Sequence, residues 1–184
     1  MKLDFPVMGT HASLVVPDYV VACVGEQRAQ QALEAARASL DADEQRFSHY
    51  RSDSDISQWS AGISVATDAA AEIEHVLREC ERLTADSEGV FRTTNPRTGA
   101  LDTAGYVKGY AIGKAAAVLA GLGIDSFLVG VGGDVQCAGV LGDQPWRVAI
   151  ADPRAAFGIA AYLIPIAVLT SGYAWSRRRT TLPS

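Results

Sequence analysis

Residues 101–135 read LDTAGYVKGYAIGKAAAVLAGLGIDSFLVGVGGDV and contain a helix, a strand and a glycine cluster in succession. Apolar residues recur at helical spacing from about Val107 to Leu122, and Gly121-Leu122-Gly123 is typical of a helix C-terminus. The β-branched run Phe127 to Val131 predicts a strand, and Gly132-Gly133-Asp134 follows it directly. The sequence therefore predicts a helix packed on a sheet, with polar residues before the helix and glycines after the strand.

The segments outside this stretch alternate between helical and strand patterns without the regularity of βαβ units. Helices are predicted for residues 26–47, 56–59 and 69–85, strands for residues 7–16, 146–151 and 160–169, and a loop for residues 87–101. In the first helix Leu33, Ala36, Leu40 and Phe47 share one face. This order favours an α+β layered domain, with a mixed sheet and packed helices, over a doubly wound sheet.

Composition excludes several classes of protein. The 184 residues are 48% hydrophobic and 20% charged, so disordered and collagen-like chains are excluded. The net charge is −5, with three Lys and 13 Arg, and no basic face suited to nucleic acid is evident. Cys23, Cys80 and Cys137 lack metal-ligand spacing, which favours reduced, half-buried thiols in a cytoplasmic protein.

Two segments bear on targeting and membrane insertion. Residues 1–6 lack the apolar core of a secretory signal. Residues 157–175 carry no charge, but their apolar run from Ile159 to Leu169 is shorter than the roughly 20 residues that a membrane helix needs. A buried strand is the favoured interpretation, and a membrane span the alternative.

The glycine cluster lacks the spacing of a dinucleotide fingerprint, and no Walker A loop is present. It would let backbone approach a ligand closely beside the Asp134 carboxylate, or it would form a glycine bulge between two strands. The Asp102–Lys108 segment likewise has two interpretations. A helix N-terminus with a carboxylate and an ammonium can hold a phosphate and a hydrated cation, or Asp102 and Thr103 can simply cap the helix.

Two further segments each have a ligand interpretation and a packing alternative. Met8, in Val7-Met8-Gly9-Thr10, could lie against a flat ring or in the core. Tyr50, in Phe47-Ser48-His49-Tyr50-Arg51, could stack on an aromatic ligand or pack at a helix end. His11, His49 and His75 show no metal-ligand spacing, and no hydrolase triad is supported.

Taken together and in order, these segments resemble the FAD:protein FMN transferases, the ApbE family of flavin transferases. The resemblance covers roughly residues 5–172. It rests on Met8-Gly9-Thr10, the segments 47–57, 89–91 and 101–110, Gly132-Gly133-Asp134, and the segments 146–150, 152–153 and 170–172.

The resemblance implies an ApbE-like fold and a transferase that binds FAD with Mg²⁺. A Ser or Thr hydroxyl of an acceptor protein would attack the FMN phosphorus, and AMP would leave. It implies that the cofactor-binding residues are Met8, Tyr50, Val90, Phe91, Asp102, Lys108, Gly133 and Asp134. Gly105 would lend a carbonyl oxygen to the metal, and no catalytic side chain is assigned.

The sequence departs from the family pattern in two places. Arg92 stands where the family often carries Asp. Residues 173–184 form a basic tail where the family continues for about a third of its length with the side-chain ligands of the metal. The expectation is a flavin-transferase-like domain over residues 1–172 that lacks the family's C-terminal third. The alternative is a non-catalytic FAD-binding remnant.

Overall fold

The computed structural model describes residues 1–150, 162–165 and 168–169, and it shows an α+β domain with helices packed on an antiparallel sheet. The strands are β1 (Lys2–Val7), β2 (Thr10–Val15), β3 (Phe127–Val131), β4 (Asp134–Ala138), β5 (Arg147–Ile150), β6 (Tyr162–Pro165) and β7 (Val168–Leu169). The helices are α1 (Asp18–Val24), α2 (Glu26–Phe47), α3 (Asp55–Ser60), α4 (Thr67–Asp86) and α5 (Ala104–Gly121).

The main sheet has the strand order β1-β2-β3-β4-β7, and β5 pairs with β6 in a separate two-stranded sheet. Every described strand pair is antiparallel, which refines the expected mixed sheet. The predicted strand 160–169 corresponds to β6 and β7, while the rest of that range lies outside the described residues. No described helix has the length and hydrophobicity needed to cross a membrane.

Two hairpins correct the predicted strands. The predicted strand 7–16 is wrong at its start, because Met8 and Gly9 form a two-residue turn between β1 and β2. Gly132 and Gly133 form the corresponding turn between β3 and β4, in place of a bulge. All four turn residues have positive φ, between 53° and 92°, as tight hairpin turns of this kind require.

Helix α5 is buried on two sides, and it joins the two apolar clusters of the domain. Its middle and C-terminal part, from Ala111 to Leu119, packs with β1–β3 and α2. Its first turn contributes Tyr106 and Val107 to a second cluster with Phe47, Ile56 and the buried face of α4. The predicted helix 107–122 is confirmed, with its start three residues earlier at Ala104.

A partly buried charge cluster links α5 to α2 and α4. Lys114 Nζ lies 2.6 Å from both Asp43 Oδ1 and Glu72 Oε1, and Asp43 is only 1% exposed. Arg46 and the Tyr110 hydroxyl complete the partners of Glu72. Burial opposes ionisation of Glu72, but hydrogen bonds from Lys114, Tyr110 and Arg46 outweigh it and lower its pKa to about 2. Burial raises the pKa of Asp43 despite the Lys114 ammonium.

Replacing Lys114 by Met is expected to lower the free energy of unfolding by about 2–4 kcal/mol, because the Asp43 charge would stay buried without its cation. The double variant Lys114→Met/Asp43→Leu should recover most of the loss, because both charges of the pair are removed and Glu72 keeps Arg46 and Tyr110. Urea unfolding of the three proteins measures the effect. Equal stability of wild type and Lys114→Met would contradict this account of the cluster.

Gly139 and Gly142 provide a matched test of backbone packing after β4. Their φ angles are similar, 62° and 68°, but a Cβ at Gly139 would lie 2.6 Å from the Asp125 carbonyl oxygen, whereas a Cβ at Gly142 meets no atom within 4 Å. We expect Gly142→Ala to cost about 1 kcal/mol through backbone strain alone. Gly139→Ala should cost roughly 3 kcal/mol or more in a urea titration, since Asp125 and Ser126 must also move. Similar costs for the two variants would show that the clash relaxes freely.

Candidate functional site

The N-terminus of α5 brings most of the predicted site residues together. Asp102 lies just before the helix, where its Oδ1 accepts a hydrogen bond from the Ala104 amide at 3.1 Å. Its own amide donates to the Thr93 carbonyl oxygen at 2.7 Å, which ties this end of α5 to the loop that precedes it. Asp102 therefore caps the N-terminus of α5. The helix dipole also makes this end favourable for an anion.

Lys108 and Asp134 contact each other across the boundary between α5 and the sheet. Lys108 Nζ lies 2.7 Å from Asp134 Oδ2, and the two side chains are 33% and 19% exposed. Asp134 is the first residue of β4 and follows the Gly132-Gly133 turn directly. The ion pair therefore holds the Lys108 ammonium beside the glycine turn, where it remains partly accessible to a ligand.

The two hairpin turns lie side by side at the same end of the sheet. The Gly132 amide donates to the His11 carbonyl oxygen at 3.1 Å. A Cβ on Gly132 would lie 2.9 Å from Thr10 Cγ2, so the close approach of the Gly132 backbone to Thr10 requires a glycine at this position. Met8, in the neighbouring turn, is partly buried against the core. Met8, Gly133 and Asp134 are thus placed at one end of the sheet, as a shared ligand site would need.

The loop between α4 and α5 supplies Val90 and Phe91. Phe91 is partly buried, and its Cε2 lies 3.1 Å from the position of a Cβ built on Gly105 in the first turn of α5. Val90 and Tyr50 are 89% and 99% exposed, so neither side chain packs in the core. The structure therefore joins Phe91 to the α5 end of the site and leaves Tyr50 and Val90 at the surface. Arg92, the departure from the family pattern, donates from Nε to the Gly89 carbonyl oxygen at 2.8 Å.

His49 is a residue of the site that sequence reasoning missed. Its Nε2 lies 3.0 Å from Thr103 Oγ1 and 3.2 Å from the Thr103 amide nitrogen, and Thr103 is fully buried. Partial burial lowers the pKa of His49, with the Asp102 carboxylate acting in the opposite direction. The only signal for His49 in the sequence is its position next to Tyr50, because it has no metal-ligand spacing to other histidines.

The described residues do not by themselves form a metal site. In the described ranges, no three His, Cys, Asp or Glu side chains converge closely enough to hold an ion. Gly105 lies in the first turn of α5, next to Phe91. Its predicted role as a carbonyl ligand remains a prediction.

The three cysteines differ in exposure. Cys80 and Cys137 are buried, whereas Cys23 is exposed, and all three are free thiols. Burial raises the pKa of Cys80 to about 12 and that of Cys137 to about 11. Both buried thiols are therefore protonated and unreactive at neutral pH. The expectation of half-buried thiols is therefore wrong for all three, because Cys80 and Cys137 are buried and Cys23 is exposed.

The fold and this arrangement define an α+β domain whose polar residues surround one helix N-terminus and two glycine turns. The ApbE family model matches residues 8–99 and 92–179 of the chain. The chain therefore belongs to the ApbE family, and the resemblance seen in the sequence is confirmed.

The proteins similar to this chain include one curated relative and two solved structures. An FAD:protein FMN transferase of Rhodobacter capsulatus is 45% identical over 62 residues, which are 34% of this chain and 12% of that protein. The apo form of Pseudomonas stutzeri flavinyl transferase ApbE matches with a TM-score of 0.67 at 20% identity, over 90% of this chain and 66% of that one. The Thermotoga maritima ApbE protein matches with a TM-score of 0.71 at 16% identity, over 91% and 68%. These structures confirm the predicted fold, and the chain spans about two thirds of their length.

The His49–Thr103 contact predicts a pH dependence of stability. Because the folded-state pKa of His49 lies below its unfolded value of about 6.5, the unfolded state binds more protons in the interval between them. The contribution of His49 should be complete above about pH 6.5 and be lost as the pH falls through the folded-state pKa. His49→Gln, which does not titrate, should flatten this part of the curve of unfolding free energy against pH.

Urea unfolding at closely spaced values from about pH 5 to pH 7.5 measures the slope of that curve. His75→Gln, in an exposed position on α4, controls for the removal of a histidine. An unchanged slope in His49→Gln would show that the histidine has the same pKa in the folded and unfolded chain.

Proposed function

We propose that this chain binds FAD at the N-terminus of α5 and transfers its FMN part to a Ser or Thr hydroxyl of an acceptor protein. The observation that supports the proposal most strongly is the Lys108–Asp134 ion pair beside the Gly132-Gly133 turn. It joins two family motifs into one polar site next to a helix N-terminus. Membership of the ApbE family and the name of the Rhodobacter capsulatus relative support the same activity.

The described residues suit a dinucleotide with a pyrophosphate. The partial positive charge of the α5 N-terminus and the Lys108 ammonium both favour the phosphates. The glycine turn allows the chain to approach the ligand without a side chain in between. Met8 and Phe91 offer apolar surface, and the exposed Tyr50 and Val90 side chains are available to cover an aromatic ring.

In the proposed reaction the acceptor hydroxyl oxygen forms a bond to the FMN phosphorus. The bond from that phosphorus to the bridging oxygen breaks, AMP leaves with the oxygen, and the hydroxyl proton is lost. Such a transfer depends mainly on positioning and on neutralising phosphate charge, so the Lys108 ammonium and the positive end of the α5 dipole would contribute directly. Asp134 would keep Lys108 in place and would not itself touch the reacting atoms.

Magnesium enters the proposal through the family resemblance alone. A divalent ion would supply further charge neutralisation on the pyrophosphate. The described residues do not form a carboxylate cluster that fits the ion. Nothing proposed for Lys108, Asp134 or the α5 dipole depends on the ion.

Mass spectrometry tests the transfer directly. The chain is incubated with FAD, Mg²⁺ and a panel of Thr- and Ser-containing peptides, and a peptide that gains the mass of FMN less water confirms transfer. FAD binding without any such product would favour the second candidate, a non-catalytic FAD-binding protein. Absence of FAD binding would contradict both.

Replacing Lys108 by Met should weaken FAD binding about tenfold, equivalent to about 1.4 kcal/mol, while riboflavin binding changes little. Riboflavin lacks the phosphates that the ammonium would contact. Quenching of flavin fluorescence gives both dissociation constants. Lys2→Met, which removes a lysine from an exposed pair with Asp4, is the matched control. Equal loss for FAD and riboflavin would show that Lys108 acts through the structure of the site and not on the phosphates.

A further inference from the structure

The His49 side chain joins two segments that are far apart in sequence. It follows the C-terminus of α2, next to the exposed Tyr50, and it contacts Thr103 at the N-terminus of α5. Both the Thr103 amide nitrogen and its hydroxyl oxygen lie within hydrogen-bond distance of the same ring nitrogen, Nε2. The contact is partly buried, and Thr103 itself is 0% exposed.

The direction of one hydrogen bond fixes the state of the ring. The Thr103 amide can only donate, so Nε2 must accept and carries no proton. The imidazole is then neutral, with its proton on Nδ1. A neutral acceptor suits this position, because a cation would be repelled by the positive end of the α5 dipole.

The contact fixes the residue that follows Asp102. The Asp102 amide is held by the Thr93 carbonyl oxygen on one side, and the Thr103 amide by His49 on the other. The backbone at 102–103 therefore has a partner at each of two successive amides. The positions of the Asp102 carboxylate and of the first turn of α5, with Gly105 and Lys108 beyond it, depend on where this backbone lies.

We infer that His49 is a positioning residue for the dinucleotide: by holding the Thr103 amide, it fixes the N-terminus of α5 against the Tyr50 segment in the geometry that receives the pyrophosphate. The inference rests on the proposed function, because it assumes that FAD binds at this end of α5. It assigns His49 no contact with the reacting atoms.

Three substitutions separate the parts of the contact. His49→Phe keeps a ring of similar size and removes the acceptor, whereas His49→Gln places a carbonyl oxygen near the position of Nε2 and restores it. Thr103→Val removes the hydroxyl but keeps the amide donor. His75→Gln is the matched control, because His75 is exposed on α4 and contacts the ring of Tyr110 outside the site.

Fluorescence titrations with FAD and with riboflavin, at a temperature where every variant is folded, give the main result. We expect His49→Phe to weaken FAD binding about tenfold and to leave riboflavin binding within about twofold of wild type. His49→Gln should recover most of the FAD affinity, and Thr103→Val should lose less than His49→Phe. Amide hydrogen exchange without ligand should show faster exchange at Thr103 in His49→Phe and protection in His49→Gln.

The outcomes distinguish this inference from the proposed function. If wild type fails to bind FAD, the proposed function is overturned, and the role of His49 with it. If wild type binds FAD and His49→Phe binds it equally well, the inference alone is overturned. A loss that is equal for FAD and riboflavin, or that Gln does not rescue, would also overturn it, because His49 would then act only on general stability.

Discussion

The structure depends on the burial of α5 between a sheet and two helices. A helix covered on both sides must be apolar along most of its length, and Ala111, Ile112, Ala115 and Leu119 meet this requirement. Its polar side chains are therefore confined to the two ends and to the few positions where a neighbouring element supplies a hydrogen-bond or ion-pair partner. The polar groups proposed to bind the ligand therefore lie near its N-terminus, with Asp102 just before the helix and Gly105 and Lys108 in its first turns.

The ends and the polar middle of α5 are each held by a different neighbour. At the N-terminus, Asp102 accepts a hydrogen bond from the Ala104 amide, and His49 accepts one from the Thr103 amide. At the C-terminus, the Arg28 guanidinium of α2 donates to the Leu122 carbonyl oxygen. Lys114 reaches Asp43 and Glu72 in the middle. Hydrophobic packing alone would allow a helix of small residues to slide or rotate, whereas these directional contacts define one position for it. The geometry of the site follows from that position.

The sequence predicted the elements with strong periodicity and missed those with weak local signals. Helix α2 has the predicted bounds, because its apolar stripe and the break at Ser48 are both strong. Helix α1 was missed because it has only seven residues and begins directly after Pro17, where the predicted strand 7–16 had just ended. Strand β1 was missed because its charged residues Lys2 and Asp4 lie on the exposed side of an edge strand. Its pairing with β2 depends on a turn at Met8, which is not a residue expected at positive φ.

The sequence predicted the positions of site residues that lie within one segment. It did not predict contacts between residues of two distant segments. The sequence pattern placed Asp102 just before a helix and Lys108 in its first turns, and the structure confirms that placement. The pairing of Lys108 with Asp134, and of His49 with Thr103, joins residues 26 and 54 positions apart. No local pattern encodes such contacts, because they arise only when α5 is packed against the sheet and the segment after α2.

Met8 shows how the sheet and the site constrain each other. A non-glycine residue with a φ of 53° costs about 1–2 kcal/mol of backbone strain, and Gly9 beside it is also left-handed. The register of β1 on β2 leaves only these two residues for the turn, so the strain is imposed by the pairing of Val7 with Thr10. The same turn places the Met8 side chain at the end of the sheet, next to the Gly132-Gly133 turn that Thr10 touches. A residue that is unfavourable for the turn is thus held at the point where the resemblance predicts contact with the flavin, and the well-paired hairpin supplies the free energy that keeps it there.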